Sequence, residues 1–286
     1  MCSQPSLPAL AKAGSEIAQL YFSRRRIAHF GALGASLILL FLSNPIIVYG
    51  LTTIALLIEI VAWWLRYQGE YYHRLSREII GLARLEDAFG KQGDSLYTTD
   101  LLYRFGKGLE QRARQLDKIF SNKGGYYTSD QSQGEARFVE NLQESAFFSK
   151  HLYNVAARRT FKLVGLVSLF VILSVFLIAP VALPHEKIIL IPKLALILLA
   201  FVISDELGSA IAWKTAADCS EEVDQYLEKV KQSNLSQVVM LTMLGNYVTA
   251  TAAAPPIPKH IYELERERLG KLWNDRKRLS NEMMVK

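Results

Sequence analysis

Cysteine is scarce. Cys2 and Cys219 are the only two in 286 residues, too few for a disulfide framework or a four-ligand zinc site. Charged residues make up 21%, against about 25% in ordinary soluble domains. No run alternates strictly between apolar and polar, so half-buried strands are not expected and the chain reads as all-α. Catalytic signatures are missing too. The glycines at 90, 93, 106 and 108 lack the spacing and the preceding strand of a phosphate-binding loop. The histidines at 29, 73, 151, 185 and 260 have no metal-ligand spacing, and no nucleophile elbow occurs. These absences point away from an enzyme, a metal site and a resident cofactor.

What is present is apolar surface. Half of the residues are hydrophobic, mean hydropathy is positive, and the excess is gathered in two blocks. In the first, Ile27 to Leu42 and Ile46 to Leu65 flank Ser43, Asn44 and Pro45; in the second, Phe161 to Leu183 and Ile188 to Ile203 flank Pro184 to Lys187. At 1.5 Å per residue, stretches of roughly 16 to 23 residues span about 24 to 35 Å, bracketing a hydrocarbon core of about 30 Å. The short turns predict two antiparallel transmembrane hairpins, residues 27–65 and 161–203, in contact with the lipid bilayer. The N-terminal segment is polar for over twenty residues, so a cleaved signal peptide is not expected.

Orientation follows from lysine and arginine. Arg24 to Arg26, then Arg66, Arg74, Arg77 and Arg84, then Arg158, Arg159 and Lys162, and finally Lys214 all lie on one side, against a lone Lys187 beside Glu186 on the other. Residues 1–26, 66–160 and 204–286 are therefore expected in the cytoplasm, both termini included. The segment 67–160 has no proline, and its turn signals gather at Gly90–Asp94 and Lys123–Gly134. Between them Leu101 to Phe120 is predicted as one helix capped by Asp100. Proline-free stretches predict long helices over 46–90 and 135–179, and the fourth span running on to about Ser233. A fifth span over Leu235–Ala254 would carry Arg266, Arg268, Lys271, Arg276, Lys277 and Arg278 outward, so this stretch is expected to join the cytoplasmic bundle. Pro255, Pro256 and Pro258 then force an extended kink, with Pro258 in the first turn of a last helix whose Ile261, Leu264, Leu269, Leu272 and Leu279 share a face.

Polar groups inside apolar spans are the leading candidates for function: Thr52, Glu59, Lys193 and Asp205. Glu59 lies about 20 Å from the outer face and Lys193 about 8 Å, which argues against their pairing. Thr52, Glu59 and Arg66 recur every seven residues and so share a face. A water-filled path or oligomer seam fits that stripe, and so does a buried glutamate that fixes helix contacts. A second group, Tyr103, Arg104, Lys107, Arg112 and Arg114, mixes basic and aromatic residues that could hold a nucleotide. A solvated helix face above an anionic leaflet is the alternative. Binding to nucleic acid itself is not expected.

The second span runs into Tyr71-Tyr72-His73-Arg74 and Leu85-Glu86-Asp87-Ala88-Phe89, and the tail reads Ala254-Pro255-Pro256-Ile257-Pro258-Lys259-His260-Ile261-Tyr262 with Arg266 following. Two hairpins around a helical cytoplasmic domain, ending in such a tail, resemble the SMODS-associated four-transmembrane effectors of bacteria. The first half also resembles the two-transmembrane SLATT effectors, and retron-linked membrane toxins share the design. The resemblance implies a homo-oligomeric inner-membrane effector of abortive antiphage defence. A cyclic nucleotide or a sensor protein, from a nucleotidyltransferase or reverse transcriptase system, would trigger membrane damage. It carries over no catalytic residues. A membrane scaffold recruiting a cytoplasmic partner, or a small transporter or channel subunit, are the alternatives.

Overall fold

A computed structural model of the chain describes residues 5–39, 44–90, 95–121, 129, 131–173, 190–230 and 236–284. Seven helices account for nearly all of these, and no strand occurs among the described residues. They are α1 (Leu7–Leu39), α2 (Pro45–Phe89), α3 (Ser95–Ser121), α4 (Glu135–Leu173), α5 (Leu190–Val230), α6 (Gln237–Ala253) and α7 (Lys259–Met284).

Local chemistry sets several of the ends. Asn44 caps α2 by accepting from the Ile46 amide at 3.0 Å, and Pro45 fills the first helical position, where no amide donor is needed. At the other end Gly90 adopts φ +82°, the left-handed stop that a Cβ would penalise. Gly134 opens α4, accepting from the Phe138 amide, while its own N–H donates to the Ala88 carbonyl at 2.7 Å. One bond thus satisfies an orphan carbonyl of α2 and fixes where α4 begins. Ser236 caps α6, its hydroxyl accepting from the Val239 amide. The Pro258 carbonyl accepts from Ile261 and Tyr262, so Pro258 precedes the last helix rather than entering its first turn.

The chain divides into two compact units. The first comprises Met1–Gln19, Glu70–Val155 and Ala212–Lys286; the second comprises Leu20–Gly69 and Ala156–Ile211. In the first unit, Ala9, Leu10 and Ala13 of α1 meet Leu75 and Ile79 of α2 and Leu101, Phe105 and Leu109 of α3. A second cluster joins Ala88, Phe138 and Leu142 to Val223 and Leu227 of α5 and to Met240, Leu244 and Tyr247 of α6. Residues 237–253 therefore bury one face in this bundle.

In the second unit α1 and α2 run in opposite directions. The rings of Tyr21 and Trp64 lie 6.2 Å apart, and a Cβ at Gly69 would meet the Phe22 ring at 2.9 Å. Among the described residues one helix, Tyr49–Phe89 within α2, is long and apolar enough to cross a membrane. Only 17% of its most apolar window is buried, which is unlike the core helix of a soluble protein. Three of the four expected spans are described in part. The turn at 184–187, most of the third span's second half and the residues 40–43 between the first two spans lie outside the described residues.

Three further expectations are corrected. Asp100 does not cap a helix beginning at Leu101: α3 begins at Ser95, and Asp100 pairs with Arg104 one turn on, at 2.9 Å. Nor is 101–120 one straight helix, because Gly106 (φ 73°, ψ 165°) breaks it with a backbone that a side chain would strain. In α7 the leucine stripe is not the buried face. Ile261, Leu269 and Trp273 are buried, whereas Leu264, Leu272 and Leu279 are exposed. The core-facing side is turned roughly a quarter-turn from the leucines, because Arg276 and Lys277 also seek partners there. Arg276 reaches Asp224 at 2.8 Å and Glu228 at 2.9 Å, and Lys277 reaches Glu140 at 2.6 Å. Leu269→Ala is expected to destabilise the detergent-solubilised protein by about 2–5 kcal/mol in chemical denaturation, and Leu272→Ala by no more than about 0.5 kcal/mol. Equal losses would place the buried face on the leucines after all.

Candidate functional site

In the second unit, apolar side chains face outward. Ile46, Tyr49 and Trp63 of α2 are 81%, 75% and 73% exposed; Ile27 and Phe30 of α1 and Leu163, Leu166 and Leu169 of α4 are also exposed. A few polar groups are partly covered between the helices, while Arg24, Arg26, Arg66, Arg158, Arg159 and Lys162 are exposed. His29 and Arg25 lie one turn apart on α1, and Glu59 and Arg66 two turns apart on α2, so each pair shares a face. His29 Nδ1 lies 3.1 Å from Glu59 Oε1. Asp205 of α5 accepts from Arg66 at 2.6 Å and pairs with Arg25 as well, and its side chain is 14% exposed. Two cations around one carboxylate leave a net positive charge in this triad, with every member hydrogen-bonded to an opposite charge.

Of the polar span residues, Glu59 and Asp205 thus belong to one inward-facing set, although they do not touch each other. Thr52, expected on the same stripe, is exposed. Lys193 falls within α5, but its side chain lies outside the described residues. The partners His29 and Arg25 were not among the sequence candidates. Their signal was the i, i+4 spacing of two ionisable residues entering an apolar span.

The basic–aromatic group does not form a cluster of free cations. Tyr103 is 87% exposed, Arg104 is held by Asp100, Arg112 by Glu16 of α1 at 2.8 Å, and Arg114 by Glu110 at 2.6 Å. Three of its guanidinium groups are therefore charge-compensated, while the side chain of Lys107 lies outside the described residues. The hydrogen bond that Arg112 donates to Glu16, then the charge of that carboxylate, raises the pKa of Arg112 further.

A second polar seam runs through the first unit, where α2, α4 and α6 meet. Asp87 takes two bonds from Arg137, at 2.7 and 2.9 Å, and one from Asn141 at 2.7 Å. Arg77 donates to the Tyr153 hydroxyl at 3.0 Å, and the Ser149 and Tyr247 hydroxyls lie 2.7 Å apart. His73 is buried with Nε2 at 3.2 Å from the Thr251 carbonyl. Among the described residues no group of three or more His, Cys, Asp or Glu is placed to hold a metal ion.

Burial, and then the charge of Arg77, lower the pKa of His73 to about 3. The folded protein therefore holds a neutral ring, while the unfolded chain protonates it below its ordinary value of about 6.5. Stability from this group is complete above about pH 6.5 and is lost as pH falls toward 3, because the unfolded state binds the extra proton. Between pH 8 and pH 5 the loss is about 2 kcal/mol. Denaturant melts of wild type and His73→Gln over this range are expected to differ in slope by that amount; parallel curves would show that the ring is protonated in the fold. No family model matches the chain, and neither a curated protein nor a solved structure is found to resemble it.

Proposed function

We propose that the chain is an inner-membrane effector of bacterial antiphage defence, held in the bilayer by two helical hairpins with both termini in the cytoplasm. A nucleotide signal or a partner protein acts on the first unit, and the second unit, assembled as a homo-oligomer, then breaches the membrane. The reading involves no catalysis and no cofactor.

One observation carries it: the second unit presents isoleucine, leucine and tryptophan outward and partly covers Arg25, His29, Glu59 and Asp205, pairing Glu59 with His29 and Asp205 with Arg25 and Arg66. In water that arrangement would leave a large unpartnered apolar patch. In lipid it is the low-energy one, because hydrocarbon solvates the outer side chains and paired charges avoid it. Trp63, Trp64 and Tyr67 are exposed near Arg24, Arg26 and Arg66, the composition of a membrane–water boundary on the positive side. The defence role itself is supported by the resemblance of the tail and of the segment following the second span.

A membrane scaffold recruiting a cytoplasmic protein is favoured by a different observation, the exposed line of Leu264, Leu272 and Leu279 on α7. The two readings separate in one experiment. Cells expressing the chain with its neighbouring genes are challenged with phage in the presence of a potential-sensitive dye. Depolarisation before lysis is expected, and Glu59→Leu, at unchanged membrane abundance, is expected to abolish it. Sustained polarisation in the wild type would overturn the effector reading and leave the scaffold.

A further inference from the structure

The cations of the second unit gather near the residues at which its pieces begin or end. Arg24 and Arg26 of α1 follow Leu20 within two turns, Arg66 of α2 comes one turn before Gly69, and Arg158, Arg159 and Lys162 of α4 follow Ala156. Asp205, by pairing with Arg25 and Arg66, brings this part of α1, α2 and α5 to one level. The acids described in the unit are Glu59, Asp205 and Glu206. Glu59 lies two turns from Arg66, beside His29, and Asp205 is taken up by its two arginines. Half-buried Glu206 is then the remaining acid against Arg24, Arg26, Arg158, Arg159 and Lys162. Those five cations are exposed, and no carboxylate among the described residues pairs with any of them.

Exposed apolar and aromatic side chains interleave with them. Ile27 follows Arg26 on α1, Trp63 and Trp64 precede Arg66 and Tyr67 on α2, and Phe161 and Leu163 flank Lys162 on α4. Tyr21 stands one turn before Arg24 and packs its ring against Trp64, so the α1 cations and the α2 tryptophans are neighbours. An acidic protein surface would meet the cations but set the apolar side chains against charge. An anionic leaflet meets both: acyl chains take the isoleucine and leucine, headgroup phosphates take the guanidinium forks, and tryptophan and tyrosine suit the boundary between them.

We propose that these residues form a belt that binds anionic phospholipid headgroups, with Arg24 and Arg26 as donors on α1 and Arg158, Arg159 and Lys162 as donors on α4. The belt selects lipid by headgroup charge, which the hydrocarbon contact of a spanning helix does not do. The inference rests on the proposed function for the placement of the second unit in a bilayer, and deepens it by naming the class of lipid that the unit gathers around itself.

The chain's own tryptophans report on the belt. Trp63 and Trp64 are exposed beside it, whereas Trp213 and Trp273, 3% and 4% exposed, supply a constant background. The full-length chain is reconstituted in equimolar phosphatidylcholine–phosphatidylglycerol bilayers, with quenching bromines on the acyl chains of one lipid or of the other. Stronger quenching by brominated phosphatidylglycerol is expected, with a relative association constant of about 5, the preference that one cation at an anionic surface supplies. Arg24→Gln/Arg26→Gln is expected to bring it below about 2, and Arg24→Lys/Arg26→Lys, which keeps the charge, to leave it above about 3. Raising salt to about 1 M, where the Debye length is about 3 Å, is expected to bring the unaltered chain below about 2 as well. Quenching by neither lipid would overturn the bilayer placement and the belt together. Equal quenching by both lipids, or a preference that survives the two glutamines or the salt, would overturn the belt alone.

Discussion

The constraint that governs this molecule is that an ionised side chain on the inner face of an apolar helix must find its counter-charge inside the helix cluster. In the second unit Asp205 has Arg25 and Arg66 as counter-charges, and Glu59 has the His29 ring as a polar partner. The Asp205 contacts join helices far apart in sequence, so helix rotation is set by charge as well as by shape. Once these inner faces are fixed, Ile46, Tyr49, Trp63 and their neighbours have no direction left but outward.

The first unit obeys the same rule. Its apolar clusters are buried, with Leu10, Ile79 and Phe105 in one and Phe138, Leu227 and Leu244 in the other. Buried charges are again matched, as Asp224 shows. Surface arginines of α3 are matched too, which is why the basic–aromatic sequence pattern does not become a cationic cradle.

Helix content and several helix ends were legible in the sequence because they depend on neighbours within a turn. Asn44-Pro45, Gly90 and Gly134 mark ends through capping, missing donors and left-handed backbone. Long uninterrupted helices over 45–89 and 135–173 follow from the lack of proline. Pairing was not legible. Glu59 was identified as a candidate, but its partner lies thirty residues away, and no local pattern records that distance. The leucine stripe of α7 misled for a related reason: periodicity finds an apolar face, but Arg276 and Lys277 decide which face turns inward. The break at Gly106 was equally hidden, since a glycine inside a helical pattern is often tolerated.

The first unit is assembled from three separated pieces of chain, Met1–Gln19, Glu70–Val155 and Ala212–Lys286. The carboxylate of Asp224, nearly inaccessible to water, takes one of its two counter-charges from Arg276 in the final helix. Synthesis must therefore pass residue 276 before that carboxylate acquires both of its counter-charges. The pieces of the second unit end at Ile211, so a nascent chain arrested between residues 211 and 276 would carry that unit whole and the first unit unfinished.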